Sequence, residues 1–386
     1  MKRKICVVIT ARPSYSRIRT TLFAIKNNPN LELQIVVSAS ALIEKYGSVV
    51  EIMKKDGFQP DDFVYMVIEG SSASTTAKST GLAVMELATI FHNKRPDIVV
   101  SIADRYETMA TAIAASYSNI PLAHVQGGEV TGSIDEKVRH AITKLSDIHL
   151  VSNDDSAKRV EKLGELRNKI FITGCPSIDL AKDVSLENFE IFNPFNKYLG
   201  IGNKFNIDNS YYVMMQHPVT TQYKKSGEHI LETLNSLKEL NFPTFIFWPN
   251  VDAGTDIISK NLRIFLKEVT EKKLNFYFYK NLKPKDFLRL INSCKCLIGN
   301  SSVGIREASY LGVPVVNIGD RQNKRQRHKN VIDVNYNKLE ILDAISVQHS
   351  KGKYVKSNLY GNGNSGNEIA KVLETVEMSI SKTITY

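Results

Sequence analysis

The sequence predicts an α/β protein of two domains, each a parallel sheet whose strands alternate with helices. At 386 residues the chain is long enough for two domains of ordinary size, each with its own core. In both halves, short apolar runs end in polar turns, and helical patterns follow these turns. This order of strand, turn and helix is typical of parallel sheets, which bind ligands at the carboxyl ends of their strands.

Composition narrows the class of protein. The chain is 42% hydrophobic and 23% charged, and no stretch approaches the roughly twenty apolar residues of a membrane span. The run Ile5–Thr10 follows a basic start but is too short for a signal peptide, so we interpret it as the first strand. The cysteines Cys6, Cys175, Cys294 and Cys296 lack metal-ligand spacing, which predicts a cytoplasmic protein without disulfides.

The formal charge of +10 favours an anionic partner. Lysine and arginine are nevertheless spread along the chain, and the densest cluster, Arg321–Lys329, lacks the interleaved aromatic residues of a nucleic-acid surface. We therefore expect a small phosphorylated ligand, with neither a nucleic acid nor a membrane as partner.

The first half of the chain is predicted to form one parallel sheet with helices between its strands. The predicted strands are Ile5–Thr10, Leu33–Val37, Val64–Ile68, Pro96–Ile102, Leu122–Val125, Ile148–Val151 and Ile170–Thr173. Helices are expected after Arg12 and at Ile43–Met53, Thr76–His92, Met109–Tyr117, Asp135–Leu145 and Ala157–Leu163. The helix at Met109–Tyr117 is apolar on nearly every side and should therefore be internal.

Three side chains follow strands of this sheet. Arg12, Asp104 and Glu129 each come shortly after a strand, so we expect them at one edge of the sheet, around one crevice. Arg12 fits phosphate binding through its planar fork, although a surface ion pair also explains it.

The stretch His124–His140 contains the highest concentration of candidate functional residues in the chain. Its glycines at 127 and 128 allow a close backbone approach to a ligand, and Glu129, Asp135 and Glu136 are candidates for acid/base work. A tight turn whose acidic residues cap the helix beginning near Ser133 explains the same residues. Both interpretations stay open at this point.

The second half repeats the alternation after a segment at 183–209 that resembles a linker. The predicted strands are Tyr211–Met215, Thr244–Trp248, Asn275–Tyr279, Cys296–Gly299 and Pro314–Ile318. The predicted boundaries are 1–182 for the first domain, 183–209 for the linker, 210–366 for the second domain, and 367–386 for a C-terminal helix that can cross back to the first domain.

Two strand ends of the second half carry candidate binding groups. His217, after Tyr211–Met215, can polarise a substrate oxygen or simply form a turn. Ser301 and Ser302 begin a helix through Tyr310, and such a start binds anions through free N–H groups, with Glu307 one turn on as an acceptor for ribose hydroxyls. A capped helix without a ligand is the alternative.

Ordered motifs over almost the whole chain resemble the hydrolysing UDP-N-acetylglucosamine 2-epimerases of sialic-acid and legionaminic-acid biosynthesis. The matching segments are Thr10–Arg12, Ala103–Arg105, Gly127–Asp135, Arg139–Leu145, Gly174–Ser177, Gln216–Thr220, Pro249–Gly254, Gly299–Ser302 and Asn317–Gln322. The resemblance implies two Rossmann-like domains in a GT-B-type fold with the active site in the interdomain cleft. It also implies the reaction: elimination of UDP to a 2-acetamidoglucal, followed by hydration to free N-acetylmannosamine.

The resemblance also implies roles for residues. The catalytic set would be Asp104, Glu129, Asp135 and His217, with Asp104 or Glu129 as the base at C2, Asp135 assisting water addition and Glu136 as an alternative third carboxylate. The substrate-binding set would be Arg12, Asn250, Asp252, Ser301, Ser302, Gly304, Glu307 and Arg321. No metal or other cofactor is implied, and relatives are homodimers or homotetramers.

Other functions remain open on the sequence. A non-hydrolysing epimerase would return the nucleotide to the glycal, and a GT-B glycosyltransferase would need an acceptor. A nucleotide-sugar sensor would use the carboxylates only to bind hydroxyls. UDP and GDP sugars, including 2,4-diacetamido-trideoxy sugars, are all compatible substrates.

Overall fold

The computed structural model describes residues 2–43, 48–68, 73–102, 104–130, 134–187, 192–249 and 254–385. The chain divides into two compact units. The first unit comprises Met1–Glu129, Asp135–Asp179 and Tyr360–Tyr386, and the second comprises Val130–Ile134 and Leu180–Leu359. The predicted domain boundaries at 182, 209 and 366 stay predictions.

The first part of the chain alternates strands and helices from its start. Its elements are β1 (Arg3–Ile9), α1 (Arg12–Asn27), β2 (Leu31–Ser38), α2 (Val50–Lys55), β3 (Asp62–Val64), α3 (Ala73–Lys94), β4 (Ile98–Ile102), α4 (Tyr106–Tyr117), β5 (Leu122–Val125), α5 (Ile134–Leu145), β6 (Ile148–Val151), α6 (Asp154–Lys162), β7 (Ile170–Ile172) and α7 (Ser177–Leu186). The strands form one parallel sheet in the order β3-β2-β1-β4-β5-β6-β7. The order runs outward from β1 in both directions, as in doubly wound folds, and leaves the sheet buried on both faces.

The second unit repeats this architecture. Its elements are β8 (Ile201–Gly202), β9 (Tyr212–Met215), α8 (Ser226–Leu240), β10 (Thr244–Phe247), α9 (Thr255–Glu271), β11 (Phe276–Tyr279), α10 (Pro284–Ser293), β12 (Cys296–Gly299), α11 (Ser302–Ile305), α12 (Glu307–Leu311), β13 (Val315–Ile318), β14 (Val331–Val334) and α13 (Lys338–Lys351). The strand order is β14-β13-β12-β9-β10-β11-β8, and all pairs are parallel except β8 with β11. The predicted two-domain α/β architecture is therefore confirmed.

Several predicted elements differ from the structure. The helix expected at Ile43–Met53 is replaced by a 3-10 turn at Ala39–Leu42 and the short α2, with residues 44–47 outside the described part. The strand expected at Val64–Ile68 is β3, which begins and ends earlier because it pairs at the sheet edge with only Val36–Ser38.

The segment predicted as a linker packs on the second sheet. β8 lies within it, and the ring of Phe195 lies 4.8 Å from that of Tyr277 and 5.4 Å from those of Phe205 and Phe245. Its phenylalanines are therefore part of an aromatic cluster, because their apolar area is covered by the edge of the sheet.

The last helix, α14 (Ser365–Thr375), belongs to the first unit and packs on α1. The Asp179 carboxylate accepts hydrogen bonds from the backbone N–H groups of Ser365 and Gly366, each at 2.8 Å, and from the Thr20 hydroxyl at 2.8 Å. A carboxylate at these N–H groups caps the start of α14 and also stabilises the helix dipole. Asp179 thereby joins α7, α1 and α14.

A charged cluster surrounds the Glu165 carboxylate in the first unit. Glu165 is buried and accepts hydrogen bonds from Lys144 at 2.7 Å, His149 at 3.0 Å and Lys382 at 2.6 Å. Burial alone would raise the pKa of Glu165, but these three donors outweigh it and hold the pKa at about 2. The same burial lowers the pKa of His149, which favours its neutral form.

We expect Glu165→Gln to lower the free energy of unfolding by about 3 kcal/mol at pH 7, because Lys144 and Lys382 lose their buried counter-ion. Since the folded pKa lies below the unfolded value, the stabilisation is present above about pH 4.5 and is lost as pH falls toward 2. Urea unfolding at several pH values should show that the difference in free energy of unfolding between the variant and wild type becomes smaller below about pH 4.5. The exposed Glu161→Gln on α6 is the control, and a gap independent of pH would contradict the prediction.

No helix in the described part of the chain is long and apolar enough to cross a membrane.

Candidate functional site

The carboxyl ends of three neighbouring strands carry the first set of predicted residues. β1, β4 and β5 lie side by side in the first sheet, so the prediction that their ends share one edge is confirmed. Arg12 is the first residue of α1, Asp104 lies in the turn after β4, and Glu129 lies in the loop after β5. Glu129 is 5% exposed, whereas Arg12 and Asp104 are half-buried.

Arg139 on α5 joins two of these positions. Its guanidinium forms an ion pair with the Asp104 carboxylate and donates a hydrogen bond to the Glu129 backbone carbonyl at 2.8 Å. Arg139 is only 2% exposed, so its charge must be stabilised inside the protein, and the Asp104 carboxylate contributes to this. The Glu129 carboxylate accepts a hydrogen bond from the Ser152 hydroxyl at 3.1 Å. The motif Arg139–Leu145 begins at this residue, but the sequence assigned Arg139 no role, because its ion pair and its burial depend on tertiary packing.

The glycine loop is held by close packing. At Gly128, φ is +73°, and a Cβ atom would lie 2.3 Å from the Ser156 carbonyl oxygen. At Gly127, a Cβ atom would lie 3.0 Å from His124 Nδ1 and 3.1 Å from Thr143 Oγ1. Contact with the chain on both sides of the loop therefore accounts for glycine at these two positions. The predicted close approach of the loop to a ligand stays a prediction.

The remaining residues of this stretch are described in part. Thr131–Ser133 lie outside the described residues, and α5 begins at Ile134, so the capping expected near Ser133 stays a prediction. Asp135 is the second residue of α5, and its catalytic role also stays a prediction. Glu136 is half-buried and lies 3.4 Å from His140 Nε2, one helical turn away.

In the second unit, Asn300 ties together two strand ends. Its side-chain oxygen accepts a hydrogen bond from the backbone N–H of His217 at 2.7 Å. Its side-chain NH₂ group donates to the backbone carbonyl of His217 at 2.8 Å. Its backbone carbonyl accepts from Arg321 at 3.2 Å and Gln322 at 2.9 Å. Asn300 thus positions both His217, predicted as catalytic, and Arg321, predicted to bind substrate. Asn300 lies in the motif Gly299–Ser302, but the sequence assigned it no role.

The turn before Asn300 requires glycine. At Gly299, φ is +131°, and a Cβ atom would lie 2.1 Å from the Met215 carbonyl oxygen. β9 and β12 pair at these two residues, so the turns that follow both strands begin at the same level of the sheet. This register brings His217 next to Asn300.

His217 is buried, and burial, followed by the nearby positive charge of Arg321, lowers its pKa to about 3. We therefore expect a neutral imidazole throughout the neutral range. Proton-nitrogen NMR should show His217 ring signals that do not shift between pH 8 and pH 5, and His217→Gln identifies them by their loss. A His217 signal titrating near pH 6.5 would contradict this. Because the folded pKa is lowered, His217 should cost stability only as pH falls below about 6.5.

The residues after Asn300 form two short helices, not the single predicted helix. The helical conformation is interrupted at Arg306, where φ is −102° and ψ is −76°, between α11 and α12. The Ser301 hydroxyl accepts from the Val303 N–H at 3.5 Å, and the Ser302 hydroxyl accepts from Arg306 at 3.0 Å. These bonds match the capping alternative. In both bonds the serine hydroxyl is the acceptor, so its O–H group can still donate a hydrogen bond.

Packing within the protein accounts for Gly304 but does not account for the buried carboxylate of Glu307. A Cβ atom at Gly304 would lie 2.9 Å from a Val315 methyl group, so packing against β13 accounts for this glycine. Glu307 is 7% exposed, and within the described residues its Oε2 atom accepts no hydrogen bond, with Arg306 Nε at 3.9 Å. A buried acceptor of this kind suits a hydroxyl donor from a ligand. Asn250 and Asp252 lie outside the described residues.

The two units therefore present different chemistry. The first has an edge with two carboxylates and an arginine, suited to proton transfer beside a developing negative charge. The second has a neutral histidine, Arg321 and hydroxyl groups, suited to an anion with attached hydroxyls. Among the described residues, no group of three His, Cys, Asp or Glu side chains is placed to hold a metal ion. The expectation of a metal-free reaction stays a prediction.

A known protein family matches this chain along most of its length. The family model described as UDP-N-acetylglucosamine 2-epimerase matches residues 23–374. A relative from Legionella pneumophila, named UDP-N,N'-diacetylbacillosamine 2-epimerase (hydrolyzing), is 30% identical over 98% of this chain and 97% of its own length. A relative from Neisseria meningitidis serogroup B, named UDP-N-acetylglucosamine 2-epimerase, is 30% identical over 97% of this chain and 95% of its own.

Solved structures show the same fold. The crystal structure of a UDP-GlcNAc 2-epimerase from Neisseria meningitidis, bound to UDP-GlcNAc, superposes with a TM-score of 0.79. The sequences are 17% identical, and the match covers 96% of this chain and 99% of that one. The GT-B-type, two-domain α/β fold that the motifs implied is confirmed by this likeness.

Proposed function

This chain belongs to the UDP-N-acetylglucosamine 2-epimerase family, and on that premise we propose that it is a hydrolysing 2-epimerase. It would convert a nucleotide-linked 2-acetamido sugar and water to the free C2 epimer and a nucleoside diphosphate. The observation that carries the proposal is the Arg139 guanidinium, which joins the Asp104 carboxylate to the loop of Glu129 at one sheet edge. Such an edge can take a proton and stabilise the negative charge that develops nearby.

The first step would be an elimination. A carboxylate removes the C2 proton, the C2–H electron pair becomes the C1–C2 double bond, and the C1–O bond to the diphosphate breaks. We assign the base to Glu129, whose buried carboxylate accepts a hydrogen bond from the Ser152 hydroxyl at this sheet edge. Asp104 forms an ion pair with Arg139. Asp104 would then orient Arg139, which in turn holds the backbone of the Glu129 loop.

Departure of the diphosphate would depend on the second unit and on Arg12. Arg321 and Arg12 supply positive charge for the phosphate oxygens, and a neutral His217 can donate one hydrogen bond to them. Ser301 and Ser302 would add hydroxyl donors, and Glu307 would accept from the ribose. The roles of Asn250, Asp252 and Gly304 at the substrate remain part of the proposal on the strength of their motif positions.

The second step would be hydration of the glycal. Water adds its oxygen to C1, and a proton returns to C2 on the opposite face, which inverts that carbon and gives the free sugar. Asp135, with Glu136 as the alternative, would assist the attacking water. The nucleoside diphosphate has already left in the elimination. Water gives its hydroxyl group to C1 and its remaining proton to Asp135, which balances the proton that C2 gains, and the proton that Glu129 removed is released to solvent.

The sugar and nucleotide are the open part of the specificity. The two relatives at 30% identity bear different substrate names, one a UDP-linked diacetylbacillosamine and the other UDP-N-acetylglucosamine. We therefore propose a UDP- or GDP-linked 2-acetamido sugar as the substrate class.

The decisive experiment is incubation with a panel of UDP- and GDP-linked 2-acetamido sugars in heavy water, followed by proton and phosphorus NMR. We expect free sugar that carries deuterium at C2, together with an equal amount of nucleoside diphosphate. Recovery of only a nucleotide-linked epimer would mean a non-hydrolysing enzyme. Turnover that needs an acceptor and leaves C2 undeuterated would mean a glycosyltransferase, and binding without turnover would mean a sensor.

A further inference from the structure

We propose that Lys382, in the C-terminal tail, is a positioning residue for this reaction. Its ammonium group would fix the end of α5 and, through Thr143 and His124, the loop that carries Glu129. The inference rests on the proposed function for its catalytic consequence, but its structural part can be tested separately.

The tail docks on the first unit through Lys382. Its ammonium donates to the Ser146 carbonyl at 2.6 Å and to the Thr143 carbonyl at 3.3 Å, at the C-terminal end of α5. It also lies 2.6 Å from the Glu165 carboxylate. Helix ends leave carbonyl groups without helical partners, and a cation there compensates both the carbonyls and the helix dipole.

Further contacts hold the tail in this place. The Thr385 N–H donates to the Gly164 carbonyl at 3.2 Å, and Lys169 donates to the Glu377 carbonyl at 2.8 Å. Lys382 is therefore held from both sides along the tail. Its side chain is 24% exposed, which is low for a lysine near a chain terminus.

A continuous path leads from this contact to the glycine loop. Thr143, whose carbonyl accepts from Lys382, places its hydroxyl 3.1 Å from His124 Nδ1 in the buried interior. These same two side chains are the nearest atoms to the Cβ position of Gly127, at 3.1 Å and 3.0 Å. A shift of Thr143 would therefore move the side chains on which Gly127 packs, and with them the loop that leads to Glu129.

A second path leads through Glu165. This carboxylate bonds Lys382, Lys144 on α5, and His149 on β6. His149 is the register partner of His124 on β5. The end of α5 and the strand next to the loop are thus tied to the same carboxylate, and Lys382 bonds both this carboxylate and the helix.

Arg139, on the same helix α5, explains why the contact of Lys382 with this helix should affect catalysis. Arg139 lies one turn before Thr143 on α5, and it holds Asp104 and the Glu129 carbonyl. A small displacement of α5 would misplace the base without removing any group that contacts the nucleotide. Misplacement of this size is expected to reduce turnover more than binding.

The test compares Lys382→Met with Lys382→Arg and with Lys371→Met, an exposed lysine on α14. For Lys382→Met we expect kcat to fall about tenfold while KM for the nucleotide sugar changes by less than about twofold. Lys382→Arg should recover most of the loss because it keeps the charge, and Lys371→Met should match wild type. In hydrogen exchange, amides of the last turn of α5 and of 124–128 should exchange about tenfold faster in Lys382→Met only.

Each outcome decides between the parts of the inference. Faster exchange with unchanged kcat would overturn the positioning role, and reduced kcat with unchanged exchange would overturn the path through α5. If Lys382→Met does not fold, Lys382→Gln, which keeps a hydrogen-bond donor for the Ser146 carbonyl but no charge, carries the comparison with Lys382→Arg. If wild type acts on no nucleotide sugar, the proposed function fails, and the exchange measurement alone still supports or overturns the structural path.

Discussion

Replacement of Glu129 by glutamine is expected to lower kcat by about 1,000-fold, with KM for the nucleotide sugar changed by less than about threefold. Glutamine keeps the shape of the side chain and its bond with Ser152, but it cannot take a proton from C2. Since elimination and deuterium uptake both need that proton transfer, both rates should fall together. The nucleotide contacts proposed for the second unit are left intact.

The measurement is nucleoside diphosphate release, with deuterium at C2 followed by NMR in heavy water. Glu161→Gln on α6 is a matched control, because this glutamate is exposed. Asp104→Asn should also lower kcat, through loss of its ion pair with Arg139. If Glu129→Gln and Asp104→Asn both kept nearly normal turnover, the assignment of these carboxylates to catalysis would be wrong.

Replacement of Arg139 by methionine is expected to reduce both stability and activity. The change removes the ion pair with Asp104 and the hydrogen bond to the Glu129 carbonyl, at a position where Arg139 is 2% exposed. Breaking a buried pair from one side costs about 3 kcal/mol in free energy of unfolding. We also expect kcat to fall by at least about 100-fold, because the Glu129 loop loses its anchor.

Urea unfolding and steady-state kinetics measure the two effects. Arg263→Met, an exposed arginine on α9, is the control for loss of a charge. In a double-mutant cycle, the stability losses of Asp104→Asn and Arg139→Met should not add, since both substitutions break the same ion pair. Additive effects of the two substitutions would show that the pair does not act as a unit.

The sequence was informative where a strand ends in an unusual turn. Arg12, Asp104 and Glu129 could be placed on one sheet edge because parallel strands with connecting helices put all their carboxyl ends on the same side. The same rule located His217 and Ser301 in the second half. The strands β8 and β14 are not apparent from the sequence, because they lie at sheet edges and are only half-covered.

What the sequence by itself determined is the α/β order, the family and the residue types that can move a proton. These follow from local patterns, such as apolar strands, glycine turns and motifs over consecutive residues. What only the tertiary structure decided is which groups join these motifs: Arg139 between Asp104 and Glu129, Asn300 between His217 and Arg321, and Lys382 at the end of α5. The physical reason is distance along the chain. An arginine on a helix, an asparagine in a turn or a lysine in a tail has no local signal of burial, and its partner is fixed only when remote segments pack.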